Sequence, residues 1–160
     1  MTPAQADTLR HLLEQQETAA LGTLHRGEPF VSMVPFALLP EGRGLIIHVS
    51  RLATHTGDMQ LHPRVSLMVC AVREPGVPPQ GLARVTVQGD AHFCVDDTDD
   101  HAAARVAYVS RFPDSAPMLG FSDFSLVVIA PRTLRIVGGF AQAWSASAAD
   151  FVAAMTGGEV

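Results

Sequence analysis

The sequence predicts a small antiparallel barrel, mainly β with inserted helices, built from six or seven strands. Three observations predict it. Short apolar runs rich in Val, Ile, Leu and Phe recur along the chain. Gly-, Pro- and Asp-containing turns separate most of them closely enough for hairpin order, and helical patterns interrupt that order at a few places. No linker or internal repeat divides the 160 residues, so a single domain spanning 1–160 is expected. A chain of this length buries roughly 70% of its unfolded surface, enough for a core without staples.

The elements follow in order. Ala4 to Gln16 reads as a helix, with Leu9, Leu12 and Leu13 as its apolar stripe and Thr2-Pro3 as its start. Ala19 to Leu24 is a strand, turned at His25-Arg26-Gly27, and Phe30 to Leu39 is the next. Pro40 to Gly44 has the composition of a hairpin turn. Leu45 to Val49 is a buried strand ending at Ser50, followed by Thr54-His55-Thr56-Gly57-Asp58 and a short helix that His62-Pro63 stops. Val65 opens another strand, and Glu74 to Gly81 is a proline-rich loop. Leu82 to Val95 is a long strand with a bulge at Gly89. Asp96 to Asp100, broken only by Thr98, caps a helix near Ala102 to Val109, where acids offset the helix dipole. Phe124 to Ala130 and Thr133 to Val137 are two strands joined at Pro131-Arg132, and Gly138-Gly139-Phe140 ends the sheet. Ala146 to Met155 is a closing helix, and Gly157-Gly158-Glu159-Val160 is a frayed tail.

Composition removes several function classes. Net charge is −5, which argues against a nucleic-acid binder. No apolar run approaches the roughly 20 residues of a membrane span, and the N-terminus has no basic start with an apolar stretch behind it, so a cytoplasmic protein is expected. Cys70 and Cys94, both in apolar runs, read as buried thiols. The chain has no lysine, so a Schiff base or a P-loop is excluded unless a partner supplies the amine. The histidines show no metal spacing, and no metal site is expected.

The strand, turn and helix start between Leu45 and Leu61 suit an anion, because free N–H groups and the helix dipole converge there. Thr54, Thr56 and Ser50 offer hydroxyls and His55 a titratable imidazole; the alternative is that Thr54 only caps the helix. Arg84 lies in an alternating strand and stays charged, so it needs a partner.

These stretches together resemble a known family. They are Pro29 to Pro35, His48 to Thr56, His62 to Leu67, Ala83 to Gly89, Asp123-Phe124 and Arg135 to Ala143. Their order resembles the FMN-binding split barrel of pyridoxamine 5'-phosphate oxidase and its relatives, and most nearly the haem-utilisation branch. A further C-terminal domain carried by members of that branch has no counterpart in this sequence. The resemblance implies a homodimer with FMN at the subunit interface. It implies Ser32, Met33, Val34 and Pro35 beside the flavin ring, and His48, Val49, Ser50, Thr54 and His55 at ring edge and phosphate. It brings Arg84 to the flavin, and Gln142 and Trp144 near it from the other subunit. His48 is otherwise a core histidine, Arg84 an ion-pair partner, and Trp144 an anchor for the last helix. The oxidase's phosphate-gripping Arg-Lys pair falls on Thr54 and His55, and its substrate-binding arginine and histidine fall on Gln142 and Trp144, so pyridoxamine phosphate oxidation itself is not expected.

Two functions follow. One is an FMN-dependent oxidoreductase acting on a small-molecule substrate or electron acceptor. The other is a non-catalytic flavin- or haem-binding protein linked to haem utilisation, with the histidines and Met33, Met59 and Met68 as candidate haem contacts.

Overall fold

A computed structural model describes residues 1–157, so the tail expected at Gly157 to Val160 lies, beyond its first residue, outside the described part. Helix α1 (Pro3–Gln15) starts on a capping box in which Thr2 and Gln5 satisfy each other's backbone N–H. Its Leu9, Leu12 and Leu13 enter the core. Strands β1 (Thr18–His25) and β2 (Glu28–Pro35) form a hairpin through Arg26 and Gly27, both at positive φ. Strand β3 (Ala37–Leu39) pairs with β4 (Gly44–Ser50). Then come α2 (Thr54–Leu61), β5 (Arg64–Cys70), β6 (Arg84–Phe93) and α3 (Asp99–Arg111). Strands β7 (Phe124–Gly139) and β8 (Gln142–Ser147) and helix α4 (Ala148–Thr156) complete the chain.

All pairings are antiparallel, in the order β2-β1-β5-β6-β7-β4-β3, with β8 beside β7. Only Phe36 separates β2 from β3; it is fully buried, and its N–H donates to Glu17 O at 3.0 Å. The two ends of the sheet are therefore one chain path, bordering β1 with its first half and β4 with its second. The sheet curls closed, as the expected barrel requires. Leu21, Ile47, Leu67, Val87 and Ile136 fill its interior, and their strand neighbours face outward.

Four elements differ from expectation, and the sheet has eight strands where six or seven were expected. The single strand expected over Phe30 to Leu39 is two, β2 and β3, broken at the buried Phe36 and paired with β1 and β4 respectively. The two strands expected around Pro131 are one, β7, 16 residues long. Proline is tolerated there because it sits where no ladder bond is asked of it. On one side β4 pairing stops at Ile129 and β8 pairing starts at Thr133; on the other, Pro131 faces the β6 bulge at Gln88/Gly89. The bulge itself stands where expected. Strand β8 is an addition: the sheet does not end at Phe140 but turns back there, with Ala141 at φ 60°. Its alternation is hidden by small residues, since only Trp144 and Ala146 face inward. Helix α4 accordingly starts later than Ala146, on a capping box of Ser147 and Asp150.

Helix α3 covers the outward side of β3 and β4, where Ala104 and Tyr108 pack with Ala37, Leu39 and Ile46. Asp99 and Asp100 occupy its first turn behind the Thr98 cap, as the dipole argument expects. At its other end, Arg111 Nη2 donates to the carbonyls of Glu14 and Gln16 at 2.9 and 2.6 Å, closing the C-terminus of α1. Cys70 and Cys94 are unpaired and partly buried. No helix among the described residues is long and apolar enough to cross a membrane.

Candidate functional site

Strand period two places Thr23 and His25 on one face of β1, the face against which α2 packs. Asp58 on α2 is buried between them. Thr23 Oγ1 donates to Asp58 Oδ2 at 2.8 Å, and His25 Nδ1 lies 2.8 Å from Oδ1. Burial pushes the Asp58 carboxyl up. The hydrogen bonds from His25 and Thr23, with the charges of His25 and His55, outweigh that and hold it below the usual carboxylate range. Next to this group, Ser32 Oγ on β2 meets His55 Nδ1 at 3.0 Å. Burial lowers the His55 pKa, and Asp58 opposes the shift only in part. Phe30 flanks the His25 ring with centroids 5.8 Å apart.

The outer face of the same sheet is built differently. A shallow groove of about 500 Å³ crosses β1, β5, β6 and β7, lined by Gly22, Leu24, Ser66 and Thr133 together with Arg64 and Arg132. A Cβ at Gly22 would meet Ser66 O at an ordinary 3.5 Å, so local packing does not demand glycine there. Glycine inside a strand weakens it and often marks a place where something else approaches closely. Beside the groove, Val31, Met33 and Met68 are exposed on the same face.

A family model described as pyridoxamine 5'-phosphate oxidase matches residues 6–138. The chain belongs to that family. Within it, the chain is similar to a chloroplastic non-canonical heme oxygenase, HOZ, of Arabidopsis thaliana. They share 39% identity over 123 residues, 77% of this chain and 36% of that protein. It is 28% identical over 148 residues to the heme oxygenase HutZ of Vibrio cholerae, covering 90% of this chain and 82% of that one. A solved heme binding protein from Mycobacterium smegmatis superposes with a TM-score of 0.86 at 29% identity, over 96% of this chain and 62% of that one. The chain thus spans about a third of the Arabidopsis relative and under two thirds of the mycobacterial one. These relatives place it in the haem-utilisation branch of the family. They also correct the cofactor: each is named for haem, and the FMN that the resemblance implied is overturned.

Against this family background, the residues expected to line one cofactor do not converge. Contiguous strand residues alternate between faces, so the side chains of Ser32 to Pro35 cannot all meet one ring. Val34 and Val49 are buried in the barrel core, where their side chains touch no surface. Met33 and Pro35 are exposed, Met33 on the outer face. His48 points out of the barrel on the other side, stacked on Phe124 at 4.8 Å and tilted against Tyr108. Ser50 organises the entry to α2: its hydroxyl accepts from Leu52 N, and its carbonyl accepts from Thr56 Oγ1 at 2.6 Å. Thr54 is an exposed first helical residue, and the N-cap is Ala53, without a side-chain bond, so Thr54 does not cap α2. Arg84 Nη1 donates to the carbonyls of Gln80 and Leu82, not to an acid. Gln142 is exposed at the start of β8; Trp144 turns inward against the core and Gly138. Trp144 pairs with Ile136 and Arg84 with Val137, which puts the two on opposite faces. Only Ser32 and His55, of the expected set, meet through side chains. Of the candidate haem contacts, Met59 is in the core, while Met33 and Met68 are exposed.

Sequence reasoning misses Thr23, His25 and Asp58 as a group. A signal was present: Thr-x-His at the end of a strand delivers two polar groups to one face. Their common partner lies 33 and 35 residues away, beyond any local pattern.

Proposed function

We propose that this chain binds haem and serves haem utilisation, working as a homodimer paired through the outer face of β1, β2 and β5. The observation that carries the reading is the similarity, over 77% and 90% of the chain, to two proteins named heme oxygenases. The groove supplies part of what the group needs. A flat porphyrin needs a smooth apolar floor, cations for its propionates and a ligand for its iron. Gly22 and Leu24 would supply floor, and Arg64 and Arg132 the cations, since guanidinium pairs well with carboxylate. Arg132 shares its charge with Asp90, 3.0 Å away, whereas Arg64 makes no such pair among the described residues. The groove's lining holds no histidine, cysteine or methionine, and His25 and His55 sit on the other side of β1 and β2, with Asp58 and Ser32. The exposed Val31 and Met33, 67% and 68% accessible, are apolar surface that a second copy would cover.

The test is titration of apo-protein with ferric haem, followed by absorbance and light scattering. Saturable binding with a shifted Soret band on a dimer supports the reading. A monomer that leaves haem in its free spectrum overturns it.

The relatives' names also favour a second reading, oxygenase activity. Haem supplies, when bound, an iron at which oxygen can be reductively activated. The chain's own part would be to hold the ring through Arg64 and the floor. Reductant and air added to the complex then bleach the Soret band without loss of protein. A stable spectrum leaves a binding protein.

A further inference from the structure

We propose that a cavity at the N-terminal end of α3 binds a small organic cation, a primary ammonium carried on an aromatic or aliphatic body. The cavity, about 450 Å³, lies between the loop after β6, the start of α3, the turn at 118–120 and the outward side of β4 and β7. That volume suits a small molecule. None of the residues lining the haem groove lines it. Three features of its wall select positive charge. Asp96 and Asp97 supply carboxylates, and no arginine stands among the lining residues. His48 is held by ring contacts, with Phe124 at 4.8 Å and Tyr108 at 5.6 Å. Burial lowers its pKa, so at neutral pH it offers a lone pair rather than a charge. The rings of Phe121 and Phe124, with centroids 6.3 Å apart, attract a cation to their faces. An ammonium brings three donors to these acceptors.

The same wall favours an organic cation over a metal ion. Among the described residues, no three His, Cys, Asp or Glu side chains stand close enough together to hold a metal. Leu119, Phe121 and Leu126 present apolar surface to the cavity, and Phe121 remains 55% exposed. An apolar body joined to the ammonium would cover that surface. The helix itself does not need Asp96 or Asp97. Thr98 caps α3 by accepting from His101 N, and Asp99 and Asp100 occupy its first turn. Asp96 and Asp97 precede the cap. Asp96 approaches His101 Nε2 at 3.4 Å, while Asp97 makes no ion pair among the described residues. Asp97 is therefore the carboxylate left for a ligand.

The experiment titrates the full, haem-free chain with 2-phenylethylamine and follows backbone amide chemical shifts. The neutral 2-phenylethanol, the anionic 3-phenylpropanoate and magnesium chloride are titrated in parallel. The amine is expected to give saturable shifts at Asp97, His101, Phe121 and Ser125, with a Kd on the order of 1 mM for so small a ligand. The alcohol binds at least about fivefold more weakly, and the acid does not bind. Asp97→Asn weakens the amine by about 3- to 10-fold and leaves the alcohol unchanged. Phe121→Ala weakens both. Both side chains are exposed, and asparagine tolerates the φ of 62° at position 97, so both variants are expected to fold, which circular dichroism checks. Equal binding of amine and acid overturns the proposal, as do shifts confined to other residues or an unchanged amine affinity in folded Asp97→Asn. Magnesium that moves the same amides at lower concentration than the amine also overturns it, since the site would then be one for a metal ion. No haem is present in any arm, so the result is independent of the haem reading.

Discussion

The inner and outer faces of the β1, β5, β6 and β7 strands carry neighbouring residues of the same runs and are built for different ends. Inside, Leu21, Leu67, Val87 and Leu134 are almost fully buried. Outside, one position along each strand, Gly22, Ser66, Gln88 and Thr133 are small or polar and leave a groove. The inner set closes a barrel and would do so whatever the protein bound. The outer set contributes little to that closure, so its composition is free to answer to something else. A pleated strand thus separates stability from recognition by a shift of one residue.

Leu67→Ala, on the inner face, is expected to cost about 2–5 kcal/mol of unfolding free energy in urea. Met68→Ala, its neighbour on the outer face, is expected to change the monomer's stability by no more than about 0.5 kcal/mol. Equal losses would mean that the two faces do not divide the work.

Gly89 lies on the inner face at the bulge, where an added Cβ would run into the Ala130 backbone. Gly89→Ala is expected to destabilise by about 1–3 kcal/mol through overpacking. At Gly22 an added Cβ would meet Ser66 O at an ordinary 3.5 Å, and Gly22→Leu, which extends into the outer groove, is expected to stay within about 0.5 kcal/mol of wild type. It is also expected to weaken haem titration severalfold. Normal haem affinity in Gly22→Leu would remove the groove from the site.

The smallest effect concerns pH. Burial lowers the pKa of both His48 and His55 from 6.5, with Asp58 partly opposing the shift at His55. The unfolded chain therefore binds more protons as pH falls below 6.5. The stability these buried neutral rings allow is complete above that value. It declines as pH drops toward their lowered folded values and then levels off. Urea denaturation between about pH 7.5 and pH 5 should show the decline. His48→Leu should flatten part of it. A flat wild-type profile would mean that neither ring is effectively desolvated.

How far the sequence foretold this can be judged element by element. The barrel, α1, the hairpin at Arg26-Gly27 and the bulge at Gly89 were legible, because alternation, capping and turn chemistry are local. Strand β8 was not, since Ala143, Ser145 and Ser147 carry no apolar signal. The site was the least legible part. Reading Ser32 to Pro35 as one contact ignored the pleat, and the Thr23–His25–Asp58 group is assembled only by tertiary packing. The family resemblance was right about the fold and its branch, and it carried with it a cofactor that the nearer relatives do not bear out.

The clasp of Arg111 on α1 bears on the order in which the molecule can be made. On the ribosome, α1 emerges first and β1 soon after, but the carbonyls of Glu14 and Gln16 receive their guanidinium only when residue 111 has been synthesised. At about 5–20 residues per second, that leaves the helix end uncapped for roughly 5–20 seconds. Its leucine stripe has no finished barrel to rest on in that interval, so the nascent N-terminal third is the stretch most in need of a chaperone.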